Sequence, residues 1–361
     1  MTQAQSKPAP LILADQGFFW AGVDRQQTPD GTIVSGQMFV QYQIPEPIRH
    51  PYPIVMVHGG AGQGTDFLGT CDGRPGWATY FLRQGYAVYV VDRPGHGRSP
   101  LHPAALGPMT PPLTYEFAMT LFSAPGKQPN SWPNAQKHNQ WPGSGVVGDP
   151  ALDQFVAAQG PFLVSLAQTQ QLMQRTGTEL LDRIGPAILL THSMGAPFGW
   201  LVADSRPNLV KGIVAIEPMG PPFMQLPMAL GDLSYGLTAV PLTFEPPVKG
   251  PTELRREIRK APKPGLADCF IQKEPARRLP NLTSMPVAVV TSESAAWSMH
   301  DHGTVDFLVQ AGVQAVHLRL EDYGLSGNGH LMMQERNSDD IAAFLERWIS
   351  EHVGSRATDR H

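Results

Sequence analysis

Ser193 is the residue of this chain whose position best suits covalent chemistry. It follows the apolar run 187–190 and precedes the helix-like segment 196–204, so the sequence predicts a serine on a strand-to-helix turn. Such a turn exposes the hydroxyl above the free N–H groups of the helix start, where a serine can act as a nucleophile. The usual pattern is Gly-x-Ser-x-Gly, and here Thr191 replaces the first glycine. A buried serine that merely opens a helix would fit the same five residues.

A base for this serine is available farther along the chain. His330 follows the strand-like run 314–320 and a glycine-rich loop, and it precedes the amphipathic segment 339–351. A histidine in this position can take the serine proton while a carboxylate orients its ring. His192 is the rival by sequence alone, but adjacent residues of a strand point to opposite faces, which disfavours it.

The carboxylate is the least determined member of this set. Glu217 ends the apolar run 211–216, whereas Glu293 and Asp301 both follow the later run 286–291. Glu293 lies very close to the end of its run and Asp301 lies late. The residues alone leave all three as candidates.

A glycine-rich loop is the candidate source of backbone hydrogen-bond donors. The β-branched run 53–57 ends in the sequence His-Gly-Gly-Ala-Gly at 58–62. In acyl transfer, N–H groups of such a loop and the N–H of Met194, the residue after the serine, can stabilise the negative oxygen of a tetrahedral intermediate. Gly60 and Ala61 are the loop candidates, and the sequence does not choose between them. No Gly-Lys-Ser/Thr follows, so a phosphate loop is not predicted.

A third strand-like run ends in Asp-Arg-Pro-Gly-His-Gly-Arg-Ser at 92–99. With His-Gly-Gly before it and His-Ser-Met-Gly after it, this order resembles the α/β-hydrolase superfamily over about 53–353. The resemblance implies an α/β fold with a mostly parallel central sheet of about eight strands, flanking helices and cap or lid insertions. It also implies the chain order serine, acid, histidine, with Asp92 and Arg98 bracing their turn.

The segment 71–78 resembles a group of bacterial serine esterases of the Alcaligenes type, in which a glutamate after the sixth strand is the acid. This resemblance implies a triad of Ser193, Glu217 and His330, and Ala295 stands where the commoner arrangement has an aspartate. The expected function is a serine carboxylesterase that cleaves a small to medium, largely apolar ester, including a lactone or aryl ester, through an acyl-enzyme. No cofactor or metal is needed.

The same fold leaves other functions open. An amidase, a C–C bond hydrolase or a cofactor-free haloperoxidase would use a similar set of residues. A non-catalytic ligand-binding protein is the alternative outside enzymes, although it would have no need of serine, histidine and acid together.

Two insertions interrupt the predicted alternation of strands and helices. We expect a hydrolase core over 1–217 and 283–361, with a lid insertion at about 100–160 and a cap insertion at 218–282. Both leave the strand ends that carry the candidate chemistry, so both could cover a pocket.

His58 and several apolar side chains of these insertions are the candidate pocket residues. For any one apolar side chain, packing onto the core is the commoner role. The candidates of the second insertion are Pro221, Pro222, Phe223, Met224, Met228 and Leu230, and those of the first are Met109, Phe117, Phe122, Trp132 and Trp141. The charged run 255–260 predicts a solvated helix face, and the runs 17–24 and 33–44 predict an N-terminal hairpin.

Composition fits a globular enzyme with a small-molecule ester as its partner. The 361 residues are 42% hydrophobic with a net charge of −4, which disfavours nucleic acid, and no apolar run reaches the length of a membrane span. The apolar content of the insertions would suit a homodimer. Two cysteines, Cys71 and Cys269, make no disulfide framework, so a cytoplasmic location is expected. Whether these two cysteines pair is left open. If a signal peptide had been removed, the protein would instead be periplasmic or secreted.

Overall fold

An eight-stranded sheet forms the centre of the structure, a computed structural model that describes residues 9–226 and 230–353. In chain order the strands of the described residues are β1 (Leu13–Ala21), β2 (Asp24–Thr28), β3 (Gly31–Ser35), β4 (Met38–Pro45), β5 (Ile54–Val57), β6 (Val88–Asp92), β7 (Ala187–His192), β8 (Val210–Ile216), β9 (Gln225–Leu226), β10 (Gly231–Asp232), β11 (Arg256–Arg259), β12 (Cys269–Gln272), β13 (Val287–Thr291) and β14 (Ala315–Arg319). The central sheet has the order β1-β4-β6-β5-β7-β8-β13-β14. From β6 to β14 its strands are parallel, and β4 pairs antiparallel with β1 and β6.

Helices pack on both faces of this sheet. The α-helices of the described residues are α1 (Thr65–Leu68), α2 (Trp77–Gln84), α3 (Pro103–Leu106), α4 (Tyr115–Ala118), α5 (Pro150–Ala157), α6 (Leu166–Ile184), α7 (Ala196–Ser205), α8 (Asp301–Gln310) and α9 (Ser338–Val353). Leu189 of β7 belongs to the buried cluster that contains α6 and α7, and Leu190 belongs to the cluster that contains α2 and α9. Successive residues of a strand point to opposite faces, so β7 contributes to both layers of the core.

The central strands are buried because helices cover them on both sides. All side chains of β5, β7 and β13 are buried, which explains why these strands are continuous apolar runs rather than alternating ones. The predicted α/β fold, with a mostly parallel sheet of about eight strands, is confirmed.

The N-terminal segment differs in detail from the predicted hairpin. The strands that pair are β1 and β4, and they are joined through a second hairpin made of β2 and β3. The interruption comes at Gly22 and Gly36, which adopt φ angles of +67° and +68° that favour glycine and turn the chain out of the sheet.

The prediction of a helix face over 255–260 is wrong. Residues Arg256–Arg259 form β11, which pairs antiparallel with β12, and all four of its side chains are exposed. A run of mixed charges has no period of its own, so pairing with the largely buried strand β12 determines its conformation.

The two predicted insertions carry mostly short elements. The first contains α3, α4, a π-helical turn at Met119–Ser123 and α5. The second contains β9 to β12, and several of its side chains, including Leu237, Leu242 and Phe244, belong to the same buried cluster as β8 and β13. These three residues are therefore part of the core that also carries the sheet.

One edge of the sheet brings the candidate residues together. In the parallel register Val57 pairs with Thr191, and Ile216 pairs with both His192 and Val290. The segments that follow β5, β7, β8 and β13 therefore leave the sheet side by side, where ligands bind in open α/β folds.

Candidate active site

Ser193 lies on a strained turn between β7 and α7. Its φ angle is +52°, which is uncommon for a residue with a side chain and costs free energy wherever the surroundings do not impose it. A Cβ atom on Gly195 would lie 2.4 Å from the carbonyl oxygen of His58, so only glycine allows the turn to approach the end of β5. The strain and the close approach are the features of a nucleophile elbow.

Thr191, at the position where the usual motif has glycine, lies beneath the helix that follows the turn. Its side chain is fully buried, and a Cβ atom on Gly199 would lie 3.5 Å from its Cγ2. That distance is an ordinary van der Waals contact, so α7 leaves room for the threonine methyl group.

The loop after β5 lies directly against the elbow. A Cβ atom on Gly59 would lie 3.1 Å from Cβ of Ser193, and one on Gly60 would lie 2.4 Å from Sδ of Met194. Ala61 has a φ angle of +58°, and its carbonyl oxygen accepts a hydrogen bond of 2.8 Å from the N–H of Gly160. Gly60, Ala61, Ser193 and Met194 all line one cavity.

His330 is hydrogen-bonded to Glu217. The distance from His330 Nδ1 to Glu217 Oε2 is 2.5 Å, and both side chains are buried. A carboxylate accepts hydrogen bonds, so this contact fixes the proton on Nδ1 and leaves Nε2 free to accept another. His330 lines the same cavity as Ser193.

Ser292, at the end of β13, holds the other oxygen of Glu217. Its backbone N–H donates to Glu217 Oε1 at 2.8 Å, and its hydroxyl contacts the same oxygen. The hydroxyl also lies 2.9 Å from the carbonyl oxygen of Gly329, the residue before His330. Ser292 therefore connects the carboxylate to the loop that contains Gly329 and His330, here called the histidine loop.

Burial dominates the electrostatics of this pair. Removal from water lowers the pKa of His330, against an opposing effect of the Glu335 charge, so the imidazole is neutral at pH 7 and can accept a proton. Burial raises the pKa of Glu217, and the hydrogen bonds from Ser292 oppose that shift because they favour the ionised form.

Aromatic rings and a second histidine surround the His330 ring. Trp297 stacks on it with ring centroids 3.8 Å apart, and Phe122 is nearly parallel to it at 5.6 Å. His192 Nε2 lies 3.0 Å from the carbonyl oxygen of His330, so His192 holds the backbone of the histidine loop. Its contact is with this loop, which agrees with the expectation that it is poorly placed as a base.

Glu335 braces the histidine loop from behind and was missed by the sequence reasoning. Its carboxylate accepts hydrogen bonds from the N–H of Gly329 at 2.9 and 3.1 Å and from Nδ2 of Asn328 at 2.7 Å. It also lies 2.6 Å from Nε2 of His138, which belongs to the first insertion. The available signal was weak: a glutamate five residues after His330 in a segment rich in glycine and asparagine.

The rival acids lie elsewhere. Asp301 is buried and accepts a hydrogen bond of 2.7 Å from Oγ1 of Thr291. Glu293 binds Lys137 at 2.7 Å and the N–H of Gly327 at 3.1 Å. Of the three candidates, the one whose oxygen is hydrogen-bonded to His330 is Glu217.

The cavity has a volume of about 500 Å³ and is lined mainly by apolar side chains. The lining residues of the first insertion include Pro111, Leu113, Phe117, Leu121 and Phe122. Those of the second insertion are Met219, Met224, Leu226 and Leu230, together with Gly220. Four expected pocket residues, Phe117, Phe122, Met224 and Leu230, are therefore in the lining. Met228 lies outside the described residues.

The other expected pocket residues of the described chain are not in the lining: His58, Met109, Trp132, Trp141, Pro221, Pro222 and Phe223. Three of them show why. His58 is fully buried, with Nδ1 2.8 Å from the carbonyl oxygen of Gly59. Phe223 packs edge-on against Phe307 of α8 at a centroid distance of 5.7 Å. Trp132 donates from Nε1 to the carbonyl oxygen of Ser294 at 2.8 Å. Each packs or hydrogen-bonds within the core or its loops, the commoner role for such side chains.

Residues 9–226 and 230–353 contain neither a cluster of metal ligands nor a membrane-spanning helix. No group of three or more His, Cys, Asp or Glu residues there could hold a metal ion. No helix in these ranges is both long and apolar enough to cross a bilayer. Cys71 and Cys269 are buried and unpaired with each other.

The fold and this site define an α/β hydrolase. A family model described as the alpha/beta hydrolase fold matches residues 52–253, and the chain belongs to that family. A protein of Fungal sp. (strain ATCC 74256) named probable secreted lipase phiG is 41% identical over 341 residues, covering 92% of this chain and 89% of its own. A solved structure of a novel bacterial esterase has a TM-score of 0.68 at 23% identity, covering 97% of this chain and 99% of that one.

The family match and the lipase relative identify the chain as a hydrolase of the esterase or lipase type, and the bacterial esterase structure shows the same fold. The resemblance drawn from the three strand-end motifs is thereby confirmed.

Proposed function

We propose that the chain is a serine esterase whose triad is Ser193, His330 and Glu217. The observation that carries the proposal is the 2.5 Å hydrogen bond between His330 Nδ1 and Glu217 Oε2, made by two buried side chains beside a cavity that Ser193 also lines. A neutral histidine oriented by a carboxylate is what a serine nucleophile needs.

In the proposed reaction, Ser193 Oγ attacks the ester carbonyl carbon while Nε2 of His330 takes the hydroxyl proton. Glu217 stabilises the imidazolium that forms and keeps the remaining proton on Nδ1. The N–H of Met194 and an N–H from Gly60 or Ala61 stabilise the negative oxygen. The histidine then protonates the leaving alcohol, and water, activated by the same histidine, releases the acid from the acyl-enzyme.

The proposed substrate is a small to medium, uncharged and largely apolar ester, with lactones and aryl esters included. The described lining residues include methionine, leucine, proline and phenylalanine, and none of them is Lys, Arg, Asp or Glu. Burying a charged group there would cost free energy without a compensating partner, whereas an alkyl or aryl group would gain by leaving water. A volume of about 500 Å³ is in the range of small-molecule pockets.

The insertions at about 100–160 and 218–282 would act as lid and cap, since both contribute to this lining. The remainder of the chain would be the hydrolase core. The cytoplasmic location stays a prediction, and the fungal relative is named as a secreted protein.

A matched pair of substrates tests the proposal. We expect p-nitrophenyl hexanoate to be cleaved at least about tenfold faster, by kcat/KM, than the mono-p-nitrophenyl ester of adipic acid, which adds a terminal carboxylate that the lining cannot pair. A fluorophosphonate should label wild type on Ser193 and leave Ser193→Ala unlabelled and inactive. Absence of both cleavage and labelling in the folded wild type would overturn the esterase proposal, and equal rates on the two esters would overturn the substrate class.

A further inference from the structure

Arg93 is a buried cation, and the proposed triad does not explain why a charged residue is buried at this position. It follows β6 directly, its side chain is 1% exposed, and it is the single fully buried Lys or Arg among residues 9–226 and 230–353. Burying a charge costs free energy unless nearby groups compensate for the lost water. The contacts of its guanidinium should therefore indicate what it does.

Those contacts join the two backbone segments proposed to bind the oxyanion. Nη2 donates to the carbonyl oxygen of Gly59 at 2.5 Å, and Nη1 lies 3.5 Å from the carbonyl oxygen of Met194. The backbone N–H of Arg93 donates to Nε2 of His58 at 2.9 Å, which leaves the proton of His58 on Nδ1. That Nδ1–H points to the same Gly59 oxygen at 2.8 Å, so this carbonyl receives two donors from the core.

The direction of the Gly59 carbonyl sets the direction of the next N–H. In a planar trans peptide the C=O and the N–H point to opposite sides. Because Arg93 and His58 hold the Gly59 oxygen toward the core, the N–H of Gly60 is directed away from them, on the side where Gly60 lines the cavity. Donation to the carbonyl also polarises the peptide and strengthens the hydrogen bond that its N–H can give.

The charge of Arg93 is poorly neutralised. Within the described residues its side-chain hydrogen bonds go to carbonyl oxygens, the sulfur of Met173 and a ring nitrogen of His96, and none goes to a carboxylate. Asp66 is the carboxylate whose charge acts on it, and burial raises the pKa of Asp66, but within the described residues no ion pair or hydrogen bond joins the Asp66 carboxylate to the Arg93 guanidinium. A cation in a low-dielectric interior acts strongly on negative charge that develops nearby.

We infer that Arg93 is a positioning residue that holds the Gly59–Gly60 peptide and the Met194 backbone as one oxyanion site, and that its charge adds to the stabilisation of the oxyanion. The inference rests on the proposed esterase function. It also selects Gly60 as the loop donor.

The test compares Arg93→Met and Arg93→Lys with Arg98→Lys, which alters the neighbouring arginine of the same turn while keeping its charge beside Asp92. Active sites are counted by fluorophosphonate titration, so kcat refers to competent sites only. We expect kcat of Arg93→Met to fall about 10- to 100-fold with KM within about threefold, below the 10² to 10³ measured for loss of a direct oxyanion donor. Arg93→Lys should fall less, since it keeps the charge but cannot reach both carbonyls, and Arg98→Lys should stay near wild type.

The affinity for a trifluoromethyl ketone inhibitor is a second measurement, and it should not change if Arg93 only stabilises the fold. The tetrahedral hemiketal that this inhibitor forms with the serine carries the oxyanion, so its affinity should fall in Arg93→Met by the same factor as kcat. Wild-type kcat per titrated site in Arg93→Met, or in Arg93→Lys if the methionine variant does not fold, would refute the inference alone. Failure of the wild type itself to be titrated or to cleave esters would instead refute the proposed function.

Discussion

Replacement of Glu217 by glutamine should inactivate the protein through the tautomer of His330. Two donors of Ser292, the backbone N–H at 2.8 Å and the hydroxyl, both point to Glu217 Oε1. In Glu217→Gln these donors should hold the amide oxygen in that position, because the amide nitrogen cannot accept hydrogen bonds. The NH₂ group would then face His330 Nδ1, where Oε2 now lies at 2.5 Å.

An NH₂ group at that position forces Nδ1 to be the acceptor and moves the ring proton to Nε2. The nitrogen that should take the serine proton is then already protonated. An equivalent change in a Ser-His-Asp triad lowers kcat about 10⁴-fold, so we expect a fall of about 10³- to 10⁴-fold here, or about 4 to 5.5 kcal/mol in the activation free energy. KM should change little, because Glu217 is fully buried and does not line the cavity.

The assay is steady-state hydrolysis of p-nitrophenyl hexanoate, with folding checked by circular dichroism and thermal melting. Glu293→Gln is the matched control, since Glu293 binds Lys137 and the N–H of Gly327 and should leave kcat within about threefold. Asp301→Asn should also remain active. Activity within tenfold of wild type for Glu217→Gln, together with a dead Asp301→Asn, would refute the assignment of the acid.

Three further outcomes follow from the same geometry. Because burial lowers the pKa of His330 from its usual value of 6.5, the acid limb of kcat/KM should lie below pH 6.5 in a profile from pH 4 to 9, and a midpoint above 7 would contradict this. Gly195→Ala would put a Cβ atom 2.4 Å from the His58 carbonyl oxygen and should lower the melting temperature by about 4 °C, which corresponds to a loss on the order of 3 kcal/mol in the free energy of unfolding. Gly199→Ala meets only ordinary contacts and should leave the melting temperature unchanged or raise it slightly. Glu335→Gln should lower kcat about 10- to 100-fold without changing KM, because it weakens the hydrogen bonds that orient the histidine loop; losing the partners that orient metal ligands costs a similar factor. Unchanged kcat would limit Glu335 to a structural role.

These contacts also link the first insertion to the histidine loop. His138 of the first insertion and Gly329 of the histidine loop both bind the buried carboxylate of Glu335. Phe122, from the same insertion, lies nearly parallel to the His330 ring. Changes in the insertion should therefore affect kcat as well as substrate choice.

Much of the fold could be predicted because its signals are local. The apolar runs at 53–57, 187–190 and 286–291 are strands buried on both faces, and continuous apolar runs next to glycine-rich turns are typical of a parallel sheet. The 255–260 segment was mispredicted because its conformation depends on pairing with a strand ten residues farther along.

The sequence by itself determined the positions of Ser193 and His330 in the chain and the loop that holds Gly60, because each follows a recognisable strand end. The residues alone left Glu217, Glu293 and Asp301 open, and the preference for Glu217 came from the resemblance to the Alcaligenes-type esterases. The tertiary structure adds the hydrogen bond from His330 to Glu217, because that contact depends on which strand end lies beside the histidine loop. The brace at Glu335 and the cation at Arg93 depend in the same way on contacts between segments distant in sequence. The pocket lining was only partly predictable, because irregular insertions have no periodicity that tells an inward-facing side chain from one that packs on the core.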